Sequence, residues 1–375
     1  MVCVYLAGAG MTRFGKRTES LSELFYESAF RAMEASEIKE IDALYVGSMN
    51  PEEFTGDGNI STKAADRLGL VKPSLRAETA SSTGASVFHA AYCAVASGQY
   101  ENVLVLAGEK MTHLNTEKTT RILAKVISPL ERAYGATMPA LAALVTKRYM
   151  HEFGLERETL GMVAVKNHKN GSLNPYAHFQ KEVALDKVLE SRVIAAPLTL
   201  YDCAPISDGA CAVILTSKSR DVRILGIGHA TDTLSLAHRH YLTAFSSTQL
   251  SAKSAYEMAH INAKNVDLAE VHDAFTTFEI IGTEDLGFFR KGEGGQALKS
   301  GMTAINGELP INTSGGLKAR GHPVGASGLA QIVEIYWQLT HNAQKRQVDG
   351  SKVGLAQSIG GLANNNLVTI LEVCA

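Results

Sequence analysis

Apolar runs of strand length alternate with longer amphipathic stretches along the chain, and the alternation occurs twice. The first half opens with an apolar, β-rich run at residues 2–10 and the second with one at 222–229. Each is followed by an amphipathic stretch that predicts a helix, at 20–33 and 248–260, and then by a short predicted strand, at 41–46 and 268–272. Further on, Ser81-Ser-Thr-Gly84-Ala-Ser86 precedes an Ala-rich helical stretch at 87–97, and His322-Pro-Val-Gly325-Ala-Ser327 precedes another at 328–339. Predicted strands at 103–107 and 353–357 close the two series. The pattern is a duplicated βαβαβ plan, which places the chain in the α/β class. The helix at 87–97 is apolar nearly all round and must be covered on both sides, so two sheets with buried helices between them are expected.

The halves are unequal. A long, more polar segment at about 109–198, with a predicted helix at 138–153, is inserted in the first and reads as a lid or loop region over a site. The expected division is an N-terminal half, 1–217, and a C-terminal half, 218–375, meeting at the charged turn Lys218-Ser-Arg220. No flexible linker separates them, so they are expected to pack as one body.

Composition narrows the function. The 375 residues are 45% hydrophobic and 20% charged, which excludes a disordered chain. Thirty-six basic and 38 acidic side chains leave a formal charge of -2, without the basic excess of a nucleic-acid binder. No apolar run reaches the roughly 18 residues of a membrane span. The N-terminus lacks the pattern of a signal peptide, and the final Glu-Val-Cys-Ala is not a peroxisomal address. Five scattered cysteines suggest neither a zinc site nor a disulfide framework. A soluble, cytoplasmic protein without metal or resident cofactor is expected.

Ser81 and His322 occupy equivalent places in the repeat, each just before a helix that begins in small residues. Helix N-termini present free N–H groups and partial positive charge. Two of them facing each other would form an oxyanion site, with a nucleophile from one side and a base from the other. Each residue also has a plain reading, Ser81 as a helix cap and His322 as a packed loop histidine. Glu270-Val-His272-Asp273-Ala-Phe275 lies at the end of a predicted strand, a common catalytic placement in α/β folds, although Asp273 alone would serve as a cap. Gln357-Ser358-Ile-Gly360-Gly361 either lets backbone approach a ligand or makes a tight turn. Three other features read as structural. Gly8-Ala-Gly10 lacks the spacing of a dinucleotide loop, Cys203 and Cys211 read as buried small hydrophobes, and His238-Arg-His240 reads as an exposed loop. Lys118, Arg121, Lys125 and Arg132 suit phosphates but read more readily as solvated surface charge.

The stretch Asn312-Thr-Ser-Gly315-Gly316-Leu-Lys-Ala-Arg-Gly321-His322-Pro323-Val-Gly325-Ala-Ser-Gly328 resembles the C-terminal signature of thiolases. His272-Asp-Ala-Phe275, Asn167-His168, Asn174-Pro175-Tyr-Ala-His178-Phe179 and Ile206-Ser-Asp208-Gly209-Ala resemble the sterol-carrier-protein type and its bacterial and archaeal acetyl-CoA acetyltransferase relatives. The resemblance covers essentially the whole chain. It implies a five-layer αβαβα fold with buried central helices, a dimer or dimer of dimers, and acyl-CoA with CoA as substrates. It also implies roles: Ser81 at the nucleophile position, His322 as its activator, His272 holding the substrate's thioester oxygen with His322, and the backbone N–H groups of Ser81 and Gly360 as an oxyanion hole.

The departures from that pattern are chemical. The family's nucleophile is a Cys, and this chain has Ser81. The second Cys sits in most thiolases where Ser358 is here, and in the sterol-carrier-protein type where Ala274 is. A thiol ionises near neutral pH, whereas a hydroxyl must lose its proton to a base during attack. An ester on Ser81 is also more stable than a thioester, so return of the acyl group to CoA is uphill. Cys93 lies about 18 Å along the same helix and cannot substitute. Three readings stay open at this stage. Ser81 is an introduced replacement in a working thiolase; or the chain is a thiolase-fold carbon–carbon lyase of the retro-aldol type or an unusual acyltransferase, working with a small OB-fold partner; or it is a non-catalytic acyl-CoA-binding subunit.

Overall fold

The computed structural model describes residues 2–374. Nine strands form one hydrogen-bonded sheet in the order Ser74–Ala77, Ala43–Gly47, Asn102–Glu109, Gly209–Thr216, Tyr5–Met11, Val222–Thr231, Asn365–Val373, Val353–Gly360 and Leu268–Glu270. The duplication is visible in the pairing. Ala43–Gly47 lies parallel to Asn102–Glu109, which pairs antiparallel with Gly209–Thr216, which pairs antiparallel with Tyr5–Met11. The second half repeats those steps from Leu268–Glu270 through Val353–Gly360 and Asn365–Val373 to Val222–Thr231. The edge strand Ser74–Ala77 has only a one-bridge counterpart, where Ile311 pairs parallel with Ala269.

The expectation of two separate sheets needs one correction. The first strands of the halves pair through a short seam, with Tyr5 opposite Arg223 and Leu6 opposite Val222. Joining the leaves there removes two strand edges that would otherwise be unpaired. The helices Thr83–Ala96 and Ser327–Leu339 pack on each other between the leaves, and each touches strands of both halves. Their side chains share one core with the inner faces of the leaves, including Val87, Phe88, Leu329 and Ile332. Leu21–Ser36 and Ser246–Ala259 cover the outer faces, giving helix, sheet, helix pair, sheet and helix. Leu21–Ser36 starts with a capping box between Ser20 and Glu23.

Glycine fixes the close approaches. A Cβ on Gly8 or Gly10 would lie 2.5 Å from the Ala32 carbonyl or 2.3 Å from that of Ser28, and the second half repeats this at Gly226 and Gly228 against Ala255 and Ser251. The Gly8-Ala-Gly10 pair therefore serves helix-on-strand packing. Between the buried helices, a Cβ on Gly84 would sit 2.6 Å from the Leu329 nitrogen and one on Gly328 2.7 Å from that of Ala85. The first buried helix begins at Thr83, four residues before the apolar pattern suggests. Burial against the partner helix overrides the weak helix propensity of Thr, Gly and Ser there.

The long segment of the first half carries the helices Thr116–Leu123, Met138–Phe153 and Arg157–Ser172. Leu141, Val145, Tyr149 and Leu160 form a second core with Phe275, Phe278 and Ile359 from the second half. Among the described residues, no helix is long and apolar enough to cross a membrane.

Candidate active site

Ser81 lies in the turn between the edge strand and the first buried helix. Thr79 N–H donates to Thr83 Oγ1 (2.9 Å), and that hydroxyl donates to the Ala80 carbonyl (2.6 Å). The knot holds Ala80 at φ +54°, a left-handed conformation that costs a non-glycine residue roughly 1–2 kcal/mol. The observed strain shows that the turn is set by its surroundings. Ser81 Oγ donates to the Ile359 carbonyl at 2.9 Å.

The N–H of the same Ile359 donates to His272 Nδ1 at 3.2 Å. One peptide residue at the end of Val353–Gly360 thus anchors both Ser81 and His272. His272 follows the strand Leu268–Glu270, and its own N–H donates to the Gln357 side chain (2.8 Å). The His272 and His322 rings stand edge to face with centroids 5.4 Å apart. His322 Nδ1 lies 2.7 Å from Ser327 Oγ, whose hydroxyl donates to the Pro323 carbonyl (3.0 Å). His322 N–H donates to Ser207 Oγ, and its backbone bridges to Ile206. The buried Glu109 carboxylate, from the other half, accepts from Ser48 Oγ, Met49 N–H and Gly325 N–H, which ties the His322 loop to the first leaf. Burial pushes the Glu109 carboxyl up to about 7.

These contacts imply complementary tautomers. His272 accepts at Nδ1, so its Nε2 carries the proton and is a donor. With the Ser327 hydroxyl committed to Pro323, His322 donates from Nδ1, and its Nε2 keeps a free lone pair. Burial holds both rings neutral. His322 is lowered to about 3, and His272, which also feels His322 and Arg320, lies well below the ordinary value. The pair can act as one base and one hydrogen-bond donor.

Ser81, His272 and His322 all line one cavity of about 1110 Å³. Gly361 reaches its wall, while Gly360 packs behind the Ser81 turn; a Cβ on Gly360 would lie 2.4 Å from Ser82 Oγ and from the Thr79 carbonyl. Ala274 lines the cavity, whereas Ser358 is 2% exposed, and its hydroxyl has no hydrogen-bond partner. The reading of both Cys203 and Cys211 as buried hydrophobes holds for Cys211 alone. Cys203 lines the cavity wall, paired with Phe275. Burial raises the Cys203 thiol to about 11, so it offers no thiolate near neutral pH.

The candidate phosphate contacts lie elsewhere than the cavity wall. Arg121 pairs with Glu117 and Lys125 with Glu53, while Thr116, Thr120 and Leu123 of the same helix face the cavity. Instead, four exposed cations line the cavity: Arg13, Lys181, Lys187 and Arg192, with Glu182 as the carboxylate on that wall. None of the four is in an ion pair among the described residues. Lys181, Lys187 and Arg192 fall close together in sequence and Arg13 far from them, with no recognisable motif to mark the set. His238 and His240 are exposed, as expected of a loop.

Comparison with known proteins agrees with this geometry. Residues 4–219 match the family described as thiolase, N-terminal domain, and residues 228–373 the thiolase C-terminal domain-like family. The chain is 40% identical to an acetyl-CoA acetyltransferase of Methanothermobacter thermautotrophicus, over 98% of this chain and 99% of that protein. It is 33% identical to the benzoylsuccinyl-CoA thiolase subunit BbsB of Thauera aromatica, covering 96% and 94%, and 32% identical to sterol carrier protein 2 of Bos taurus, covering 95% and 70%. Among solved structures, the Ltp2-ChsH2(DUF35) aldolase superposes with a TM-score of 0.84 at 23% identity, covering 99% and 98%. Human mitochondrial 3-ketoacyl-CoA thiolase does so at 0.76 and 16%, covering 100% and 99%. The two structures share the fold, and the sequence relatives and domain matches carry the family: this chain is a member of the thiolase family.

Proposed function

We propose that the chain is a thiolase-type acyl-CoA acyltransferase, working between 3-ketoacyl-CoA and CoA, with Ser81 in the nucleophile's place. The observation that carries this reading is the convergence of Ser81, His272 and His322 on one cavity that is also lined by unpaired cations. Arg13, Lys181, Lys187 and Arg192 suit the phosphates of CoA. Relatives named acetyl-CoA acetyltransferase and benzoylsuccinyl-CoA thiolase subunit support the same activity.

In this reading His272 Nε2–H and the substrate's thioester oxygen form a hydrogen bond. His322 Nε2 takes the Ser81 hydroxyl proton as Oγ attacks the 3-keto carbon. The oxyanion is assigned to the backbone N–H groups of Ser81 and Gly360, as the family resemblance implies. The bond between the α-carbon and the 3-keto carbon breaks, and the proton held by His322 goes to the carbanion of the departing acetyl-CoA. The thiol of CoA then attacks the Ser81 ester, its proton leaving through His322 and returning to Oγ. This second half is uphill and slow, because an oxygen ester gives way to a thioester.

A second reading is favoured by one contact: Ser81 Oγ donates to a backbone carbonyl, not to a histidine. A base and a donor without a covalent nucleophile suit retro-aldol carbon–carbon cleavage, with a small OB-fold partner as part of that assignment. Self-association is assigned to the edge strand Ser74–Ala77, whose outer backbone is unpaired and beside which Leu75 and Val71 are exposed. Incubation with acetoacetyl-CoA followed by peptide mass spectrometry tests the first reading. An acyl adduct on Ser81 is expected. CoA binding without an adduct favours the lyase, and no CoA binding contradicts both.

A further inference from the structure

One wall of the cavity holds a cation that acyl transfer does not use. Lys318 lies on the short helix Gly316–Arg320, lines the cavity and is 2% exposed. Its Nζ donates to the Cys203 carbonyl and is in no ion pair among the described residues. The acids whose charge it feels are Asp273 and Asp202. Both are occupied. Asp273 accepts from Asn167 Nδ2, Leu317 N–H and Lys318 N–H; Asp202 accepts from Arg157, Thr199 and Thr276. A buried ammonium with a lone carbonyl partner keeps most of its desolvation penalty, several kcal/mol in a real protein interior. Burial accordingly lowers Lys318 to about 8.

Beside it stands a group with an unsatisfied atom. His168 lines the same cavity at 4% exposure, with Nδ1 3.3 Å from the Lys181 carbonyl and ring contacts to Phe179 and Tyr201. Its Nε2 is buried and has no hydrogen-bond partner. Burial, Lys318 and Lys187 keep this ring neutral, at about 4. Buried polar atoms are nearly always paired, so an orphaned ring nitrogen beside an ammonium with a single carbonyl partner, both on a cavity wall, points to a missing ligand group.

The place of this pair separates it from the CoA phosphates. The four cations assigned to phosphate are exposed, and Lys318 is not. The segment beside Lys318 runs from Cys203, opposite Phe275, to Ile206, opposite His322. Three residues of backbone span at most about 10 Å. Phe275 and Phe278 line the same cavity. An acyl chain of moderate length bridges the reacting carbon and the amine.

We infer that Lys318 binds a carboxylate on the acyl group, so that the cavity takes acyl-CoA substrates whose acyl chain ends in a second carboxylate. The inference rests on the acyl-CoA reading of the site. The carboxylate supplies the buried ammonium with a charged hydrogen-bond partner and favours protonation of His168, whose Nε2–H can then donate to it.

Calorimetric titration of the full chain with matched pairs tests it: succinyl-CoA against butyryl-CoA, adipoyl-CoA against hexanoyl-CoA, and suberoyl-CoA against octanoyl-CoA. At least one diacid is expected to bind about tenfold more tightly than its monoacid partner, the effect of roughly one charged hydrogen bond. Lys318→Met should bring that ratio to about one, and Lys318→Arg should keep part of it. The imidazole of His168, followed by NMR, should titrate at higher pH with the favoured diacid bound and stay put with its monoacid. Equal or weaker diacid binding throughout, or a ratio unchanged in Lys318→Met, overturns the inference. If Lys318→Met does not fold, the His168 titration decides, and an imidazole that ignores the diacid overturns it. Failure of CoA itself to bind removes the acyl-CoA reading beneath it, a result distinct from equal binding of both acyl series.

Discussion

Ser81, His272 and His322 are held in place through contacts that no single motif contains. Ile359 presents its carbonyl to Ser81 and its N–H to His272, and Ser327 fixes the tautomer of His322. His322→Ala should lower the rate of acyl transfer by roughly 10²–10⁴-fold, measured as initial rates beside an unchanged far-UV spectrum. Full retained activity removes His322 as the base. Because burial places the His322 conjugate acid at about 3, the base form is present at every pH above that value. The rate of the His322-dependent step should therefore stay flat from pH 8 down to pH 5. An inflection near pH 6.5 would mean that the ring is solvated. These three residues could be read from sequence because each stands beside a motif of small residues or at a strand end. The cavity position of Cys203 could not. Cys203-Ala-Pro-Ile206 looks locally like any apolar stretch, and its place follows from pairing with Phe275 and His322 across the chain.

At the scale of elements, the site depends on how closely two buried helices approach. Gly84 and Gly328 leave no room for a methyl group between Thr83–Ala96 and Ser327–Leu339, which start beside Ser81 and His322 respectively. Gly84→Ala or Gly328→Ala should destabilise the chain by about 1–3 kcal/mol or more, read from a lower urea midpoint at unchanged slope. No change in midpoint would contradict the packing described. The duplicated order of strands and helices was legible in the apolar pattern. The early start of the first buried helix was not, because tertiary burial outweighs the local preferences of Thr83, Gly84 and Ser86. Helical periodicity could have settled one further point. Thr116, Thr120 and Leu123 share a face, which turns Lys118 and Arg121 elsewhere and argues against that charged stretch as a phosphate contact.

Across the whole molecule, the duplication brings a serine turn from one half against two histidines from the other, and the inserted segment helps to enclose the space between them. Three of the four exposed cations assigned to CoA come from that segment, and Arg13 comes from the first half's opening. Such a constellation is invisible in sequence because Arg13 is remote from the other three and nothing local marks Lys181, Lys187 and Arg192 among the many surface charges. Lys187→Glu with Arg192→Glu should weaken CoA binding by tenfold or more at low salt, with the difference shrinking as ionic strength rises. Equal affinity for the wild-type and doubly reversed chains would place the phosphates elsewhere.

On the proposed mechanism, one atom at position 81 limits the turnover of this site. CoA-dependent cleavage of acetoacetyl-CoA and longer 3-ketoacyl-CoAs, compared between the wild-type chain and Ser81→Cys, tests it most directly. Thiolysis by the wild type should be slow or undetectable, and Ser81→Cys should gain roughly a hundredfold or more, about 2.7 kcal/mol of barrier. No thiolysis by either form, with CoA bound in both, would contradict it.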